Sequence, residues 1–360
     1  MNQWNKKYWR RFQNMLRWTS ERDIVVQIEI WDRFDYSRDN WPPHPYNPKN
    51  NINYTYKESG FAKKYPKHPG ANVQPFFFTT PPQRNNQTVL QYQQQFVNKL
   101  LDYALDYPNV LYCMDNETSG EEAWAVYWAE FIRERAKREN TIVNLTEMWD
   151  AWDLRAEQHR RTIDHPERFD FVDVSQNNHQ KNETHWQNFQ WVRDYISDQP
   201  RPINNVKIYA ADGGRHGGND RDAVEKFWRL IFAGAASARF HRPSSGIGLS
   251  ELAQTQLRSA RLFLDEHDIF ESIPDAEHAL LSNREEDEAY LTYITGKEYA
   301  VFFTNGGEVN LTLSQGRKWT LRWLNISESK WGKEEAFESD TQLKLKAPGN
   351  GYWVAFITRR

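Results

Sequence analysis

The chain has 360 residues, with 46 Lys plus Arg against 49 Asp plus Glu and a formal charge of −3. That length points to about two domains, and the slightly acidic balance argues against holding nucleic acid by bulk electrostatics. Mean hydropathy is −0.89 and no window approaches the ~18 unbroken apolar residues of a membrane-spanning helix, so neither nucleic acid nor membrane is expected as a partner. The single cysteine, Cys113, can build neither an internal disulfide nor a Cys-rich zinc site, and it leaves the compartment open.

Residues 1–22 carry six basic side chains and one acid, Glu21, the charge pattern of a transit peptide. Their period says otherwise: Trp4, Tyr8, Phe12, Met15, Leu16 and Thr19 share one helical face, so an amphipathic helix packed on a sheet is expected. Ile24–Trp31 then reads as a buried strand, followed by a polar, Pro- and Asn-rich excursion over 33–85. Strands are expected at Val110–Met114, Ile142–Met148, Phe169–Val174, Val206–Ala210 and Ser237–His241. Helices are expected around 87–106, 121–139, 152–162, 183–198, 221–235 and 249–265.

From the second strand on, starts are spaced 27–37 residues apart, the length of a strand plus a crossover helix. Alternation of this kind means a parallel sheet. Six units without a Gly-x-Gly-x-x-Gly fingerprint favour an α/β fold of the (β/α)8 TIM-type barrel kind over a dinucleotide-binding sheet. Six strands are read where a closed barrel needs eight. The first two strands and a helix are therefore expected to be absent from this chain, with the barrel completed by another element or left open. Beyond about residue 272 the pattern changes to six short alternating stretches between Ala289 and Ile357, separated by turns such as Asn305-Gly306-Gly307. That is the pattern of a compact antiparallel β-sandwich. The expected domains are thus a barrel over 1–272 and a sandwich over 273–360, with the charge run Arg284–Glu288 as a solvated loop.

The aromatic count is 16 Trp, 17 Tyr and 20 Phe in a chain only 39% hydrophobic. Most such rings fill cores, but the surplus suits stacking on sugar rings. In a barrel, chemistry sits at the C-terminal ends of the strands. Those ends carry Trp31-Asp32, Asp115-Asn116-Glu117, Glu147-Met148-Trp149-Asp150, Gln176-Asn177-Asn178-His179, Tyr209-Ala210-Ala211-Asp212 and Phe240-His241-Arg242. Carboxylates, amides, Trp and His suit a neutral, hydroxyl-rich ligand. Phosphate is not expected, because no Gly-rich loop with a Lys follows a strand. No His pair stands at metal-ligand spacing beside acids, so no metal or other cofactor is expected.

Asn116-Glu117, at the end of what would be the fourth barrel strand, resembles the Asn-Glu pair of the clan A glycoside hydrolases. The layout is similar to the apiosidase-like branch, in which a barrel precedes a small β-sandwich named as a collagen-binding domain. Tyr299–Trp323 matches that sandwich, and the stretches Phe171–His179 and Phe240–Pro243 match its barrel. The resemblance implies that Glu117 is the general acid/base and that Asn116 binds the sugar 2-hydroxyl. The family's nucleophile Glu ends the seventh strand, where this chain has Ala211-Asp212-Gly213.

Glycoside hydrolysis needs one acid for the leaving oxygen and one carboxylate for the oxocarbenium-like carbon. Glu117 and Asp212, 95 residues apart, are the expected catalytic pair. The bland alternatives are a helix N-terminal acid for Glu117, with Thr118 or Ser119 as cap, and a turn residue for Asp212. Substrate contacts are expected from Trp31, Asp32, Asn116, Glu147, Trp149, Asn178, His179, Tyr209, His241 and Arg242. Glu147 reads equally as a buried acid or as the partner of a core Arg, and Arg215, His216 and their flanking glycines as a mobile loop. The leading expectation is a glycosidase acting on a plant or algal polysaccharide side chain, with an oligo- or polysaccharide as partner. The alternatives are a carbohydrate-binding protein on a degenerate barrel and an adhesion module carried by the sandwich. Secretion or a periplasmic location follows if the absent N-terminal segment carries a signal peptide. Oligomeric state is not legible.

Overall fold

The computed structural model describes residues 3–212, 217–243, 246, 248–313, 317–339 and 341–360. They form two compact units: one runs to Ala151 and takes in Arg155–Asp173, the other comprises Trp152–Leu154 and Val174–Arg360.

In the first unit α1 (Lys6–Ser20) starts at Asn5, whose side chain accepts from the backbone N–H of Lys7 and Tyr8. Its buried residues are Trp9 and Leu16, with Phe12 and Met15 packed beside them. Trp9 stacks on Tyr103 at 5.4 Å, while Trp4 and Tyr8 are exposed. The helix is amphipathic as expected, but its buried stripe is rotated by about one residue, because Trp9 offers the larger apolar face. Next come β1 (Val26–Asp32), α2 (Gln87–Ala104), β2 (Val110–Asn116), α3 (Glu122–Arg138), β3 (Asn144–Thr146), α4 (Glu157–Ile163) and β4 (Val172–Asp173). β1, β2 and β3 pair in parallel in that order, from Val26↔Val110 to Asp32↔Asn116 and from Leu111↔Asn144 to Cys113↔Thr146.

The excursion over 33–85 contains no strand. It is pinned by its own aromatics: Trp41, Phe76 and Phe77 are fully buried, as nearly are Tyr36, Tyr46, Tyr54 and Phe61. Beyond β3 the ladder continues through one backbone bond, from the Asp170 N–H to Leu145 O at 2.8 Å, supplemented by side chains. Asp170 accepts the Leu145 N–H at 2.9 Å and pairs with Arg133 at 2.9 Å, and the Thr146 hydroxyl donates to Phe171 O at 2.8 Å.

The second unit holds α5 (Asn182–Tyr195), β5 (Ile203–Ile208), α6 (Asp220–Phe232), β6 (Ser237–Phe240) and α7 (Glu251–Leu264). β5 and β6 pair in parallel. The expectation of one six-stranded sheet is therefore corrected: β1-β2-β3 form a sheet of their own, because past β3 the Asp170 side chain, not a backbone carbonyl, accepts the Leu145 N–H, leaving one backbone bond in place of a ladder.

Ten strands follow: β7 (Ile273–Pro274), β8 (Leu281–Ser282), β9 (Ala289–Ile294), β10 (Glu298–Phe303), β11 (Glu308–Thr312), β12 (Arg317–Asn325), β13 (Lys330–Trp331), β14 (Glu335–Ser339), β15 (Gln342–Lys346) and β16 (Trp353–Arg359). They make an antiparallel sheet in the order β13-β12-β16-β10-β9-β7, with β14 on β12, and a smaller antiparallel sheet β15-β11-β8. Leu291, Val301, Phe303, Trp319 and Ile357 from the first and Leu281, Val309, Leu311 and Leu345 from the second share one core. The two sheets form a sandwich.

The run Arg284–Glu288 is not simply a solvated loop. Arg284 pairs with Glu183, and Asp287 lies 2.7 Å from the fully buried Arg229. Glu288 accepts from the Glu308 N–H at 2.8 Å, while Glu285 and Glu286 remain exposed. Burial would raise the Glu183 carboxyl, but hydrogen bonds from His278 and Arg284 and their charges hold it at about 2, below its ordinary 4.5. Because the folded value is depressed, its contribution is complete above about pH 4.5 and fades as pH falls toward 2. Glu183→Gln is expected to lower unfolding free energy by about 1–2 kcal/mol at pH 7. Urea melts should show the difference shrinking below pH 4.5; a pH-independent difference would place its origin outside this carboxylate.

Candidate active site

β2 does not end cleanly at Asn116. After Glu117, Thr118 bridges Trp149 in parallel, with the Thr118 N–H bonded to Met148 O at 2.8 Å and the Asp150 N–H to Thr118 O at 2.9 Å. Glu117 is left between two paired stretches, in the manner of a bulge. Its φ is +42°, a left-handed backbone that costs a side-chain-bearing residue about 1–2 kcal/mol. The first α3 residue is Glu122, and the α3 cap position carries no side-chain bond. Glu117 therefore lies outside the helix, and neither Thr118 nor Ser119 caps it.

The strain is held by Arg33. Its Nε lies 2.7 Å from both Asp115 Oδ2 and Thr118 Oγ1, Nη1 donates to Asn72 Oδ1 at 2.5 Å, and the guanidinium sits 4.1 Å from the centre of the Phe77 ring. One side chain thus ties together the residues on either side of Asn116-Glu117. Gly120 makes room: a Cβ there would come within 2.0 Å of Arg33 Nη2. The Gly120 N–H also donates to Thr118 Oγ1 at 3.0 Å.

Under this clamp lie two buried carboxyls. Burial raises Asp115 to about 7, with Arg33 pulling the other way. Glu147 is raised well above the usual carboxylate range, first by burial and then by the Asp115 charge. Glu147 Oε1 accepts from the backbone N–H of Asp115 at 2.8 Å and of Met148 at 2.9 Å. The core Arg pairs with Asp115, and Glu147 supports the strand ends.

Several residues expected to touch sugar are structural. Trp31 is 2% exposed and packs among Phe76, Phe96, Trp124 and Trp128 at 5.2–5.9 Å. Trp149 is 1% exposed, its indole N–H bonded to Thr162 Oγ1 at 2.8 Å. Neither ring has a free face, so both are corrected to core residues, and the buried Glu147 likewise offers no surface to a ligand. Asp32 is half-buried and caps the turn Arg33–Tyr36 by accepting from the Phe34 N–H at 2.8 Å. It also lines a cavity of about 460 Å³ with Tyr36, His44, Tyr46 and Tyr92. Asn116 is 6% exposed beside Glu117.

The second unit gathers the other expected residues. The His179 ring stacks on Trp152 with centres 4.1 Å apart and planes 16° from parallel. Trp152 is 57% exposed and was not among the expected site residues; its place three residues after Trp149 reads as the start of a helix. The buried Asn178 donates to Ser175 O at 2.8 Å, while its amide oxygen has no protein hydrogen-bond partner. Lys226 donates to Asn178 O and to Gly217 O, both at 2.5 Å. Tyr209 lies against His241, ring centres 4.5 Å apart, and Arg242 is exposed. Ala210 has φ +75°, a second strained position just ahead of Asp212, which sits half-buried in a turn. Gly213, Gly214, Arg215 and His216 lie outside the described residues.

No family model matches the chain, and no curated protein does. A glycoside hydrolase family 5 structure from Bacteroides vulgatus ATCC 8482 aligns with TM-score 0.54 and 15% identity over 76% of this chain and 68% of that one. A structure described as a glycoside hydrolase aligns with TM-score 0.60 and 12% identity over 96% of this chain and 88% of its own. At such identities the likeness is one of fold: this chain folds as glycoside hydrolases do.

Two stability measurements check the clamp. Glu117→Gly relieves the left-handed backbone and is expected to be about 1 kcal/mol more stable than Glu117→Ala, which keeps the strain; equal melts would mean Glu117 is unstrained. Arg33→Met leaves Asp115 without its cation and should cost about 3–5 kcal/mol, read in denaturant melts at pH 8.

Proposed function

We propose that this protein is a glycoside hydrolase of the clan A type in which Glu117 protonates the leaving glycosidic oxygen. The observation that supports this most is Glu117 itself: a glutamate in a left-handed bulge at a strand end, tied on both sides by a buried guanidinium. A fold that needed only a turn there would use Gly or Asn; strain retained under a dedicated clamp fits a side chain whose direction matters. In the reaction Glu117 gives its proton to the bridging oxygen as the C–O bond breaks. A second carboxylate, proposed as Asp212, either attacks the anomeric carbon or takes a proton from the attacking water. Asn116 is proposed for the neighbouring hydroxyl, and the exposed Trp152, backed by the half-buried His179, for stacking on a sugar ring. The chemistry requires no cofactor. The finer reading, a barrel of the apiosidase-like branch cleaving side chains of a plant or algal polysaccharide, rests on the sequence resemblance.

Screening polysaccharides with reducing-end detection tests the activity. Given a substrate, Glu117→Gln should lose at least ~10²-fold on poor leaving groups and much less on activated aryl glycosides, which need little protonation. Small and equal losses would make Glu117 structural. Asp212→Asn should abolish turnover; full turnover would mark Asp212 as a turn residue. Binding without hydrolysis across the screen would favour a carbohydrate-binding protein.

A further inference from the structure

The two oxygens of Glu147 meet unlike surroundings. The residue is 1% exposed. Its Oε1 accepts the backbone N–H of Asp115 at 2.8 Å and of Met148 at 2.9 Å, whereas Oε2 is buried and has no hydrogen-bond partner among the described residues. Among those residues no cation stands at ion-pair distance from this carboxyl; Arg33 makes its contact with Asp115 Oδ2, at 2.7 Å. The other groups nearby are acidic or uncharged. Cys113 Sγ lies 4.0 Å from Oε1, Glu29 of β1 and Asp173 of β4 bear on that thiol, Asp32 bears on Asp115, and Asp115 in turn bears on the Tyr36 hydroxyl.

A carboxylate carries charge on both oxygens and only accepts hydrogen bonds. An ionised Oε2 here would be a buried charge with neither donor nor cation, a state that costs far more than a buried neutral hydroxyl. A neutral acid fits the contacts: its carbonyl oxygen has two lone pairs for the two N–H groups, and the oxygen that receives no donor holds the proton. Burial, and then the Asp115 charge, favour the same state. The two N–H groups at Oε1 also flank the strained segment. Asp115 precedes Asn116-Glu117, and the Met148 carbonyl accepts the Thr118 N–H at 2.8 Å. Arg33 holds Asp115 and Thr118 by their side chains; Glu147 holds the same two residues by their backbone, the second through Met148.

We propose that Glu147 is a positioning residue for Glu117 that works as a neutral carboxylic acid, with its proton on Oε2. Ionised, it would set a second carboxylate against the one charge of Arg33 and weaken the Asp115 contact on which the clamp depends. The bearing on catalysis rests on the glycosidase reading above; the protonation does not.

Urea melts of the full chain and of Glu147→Gln, which keeps the Oε1 acceptor and cannot ionise, read the protonation. The unfolded glutamate ionises near its ordinary 4.5, while the folded one keeps its proton. This group's contribution to stability is therefore complete below that value and is lost as pH rises toward the folded value. Between about pH 5.5 and 7.5 the unfolding constant of the wild type, divided by that of Glu147→Gln, is expected to rise about tenfold per pH unit. A ratio that stays flat means that folded Glu147 is ionised, and overturns the proposal. Given a substrate, Glu147→Ala, which removes Oε1, should lower kcat on poor leaving groups at least ~10-fold with KM little changed, and Glu147→Gln should restore most of the loss. Equal losses in the two variants overturn the positioning role. A wild-type chain that hydrolyses no glycan overturns the glycosidase reading instead, and the melts still decide the protonation.

Discussion

A guanidinium taken out of water among strand ends sets the terms for the region around Glu117. Arg33 is 3% exposed, and a charge so placed persists only where a counter-charge shares it. Asp115 does so, and the planar fork of Arg lets the same side chain reach Thr118 and Asn72, which a lysine's single ammonium would not manage in one geometry. Asp115 and Thr118 bracket Asn116 and Glu117, so fixing both fixes a two-residue segment whose backbone would otherwise relax. Glu147 adds support from the β3 side by accepting the Asp115 and Met148 N–H groups. The polar cluster is thus mostly scaffold, and what it holds in place is the half-buried Glu117.

The alternation of strands and helices is legible because it is local. The helix expected over 121–139 forms over Glu122–Arg138, and the strand from Val110 starts where expected. The two sheets of the sandwich likewise follow from short alternating stretches between turns. What stays hidden is carried by long-range pairs. Arg33 meets Asp115 and Thr118 across 82 and 85 positions, so no local pattern marks it. The run Arg284–Glu288 displays only its charge, while Glu183 and Arg229, which it engages, lie 101 and 58 positions away. Backbone strain at Glu117 is equally silent, since a glutamate is no signal for a left-handed conformation.

Strand-end tryptophans show a further limit. In a parallel sheet covered by helices, both faces are apolar, so position near a strand's end does not tell which side a ring takes. Trp31 points into the aromatic layer of α2 and α3. Trp149 and Trp152 are three residues apart, yet one is 1% and the other 57% exposed. Trp31, Trp41, Trp124, Trp128, Trp149, Trp186, Trp228 and Trp319 are all fully buried, so the aromatic excess mainly replaces scarce aliphatic core formers.

The helix α6 is buried along nearly its whole length, from Asp222 to Phe232. Phe227 lies on β6, whereas Trp228 and Phe232 pack against Phe302 of the sandwich and Arg229 reaches Asp287. A helix apolar on opposite sides has no solvent face to fall back on. Severed from the sandwich, α6 would present indole and phenyl rings to water, and its Arg229 would keep Glu225 as a partner but lose Asp287. The sandwich is therefore the outer wall of this helix rather than a passenger module.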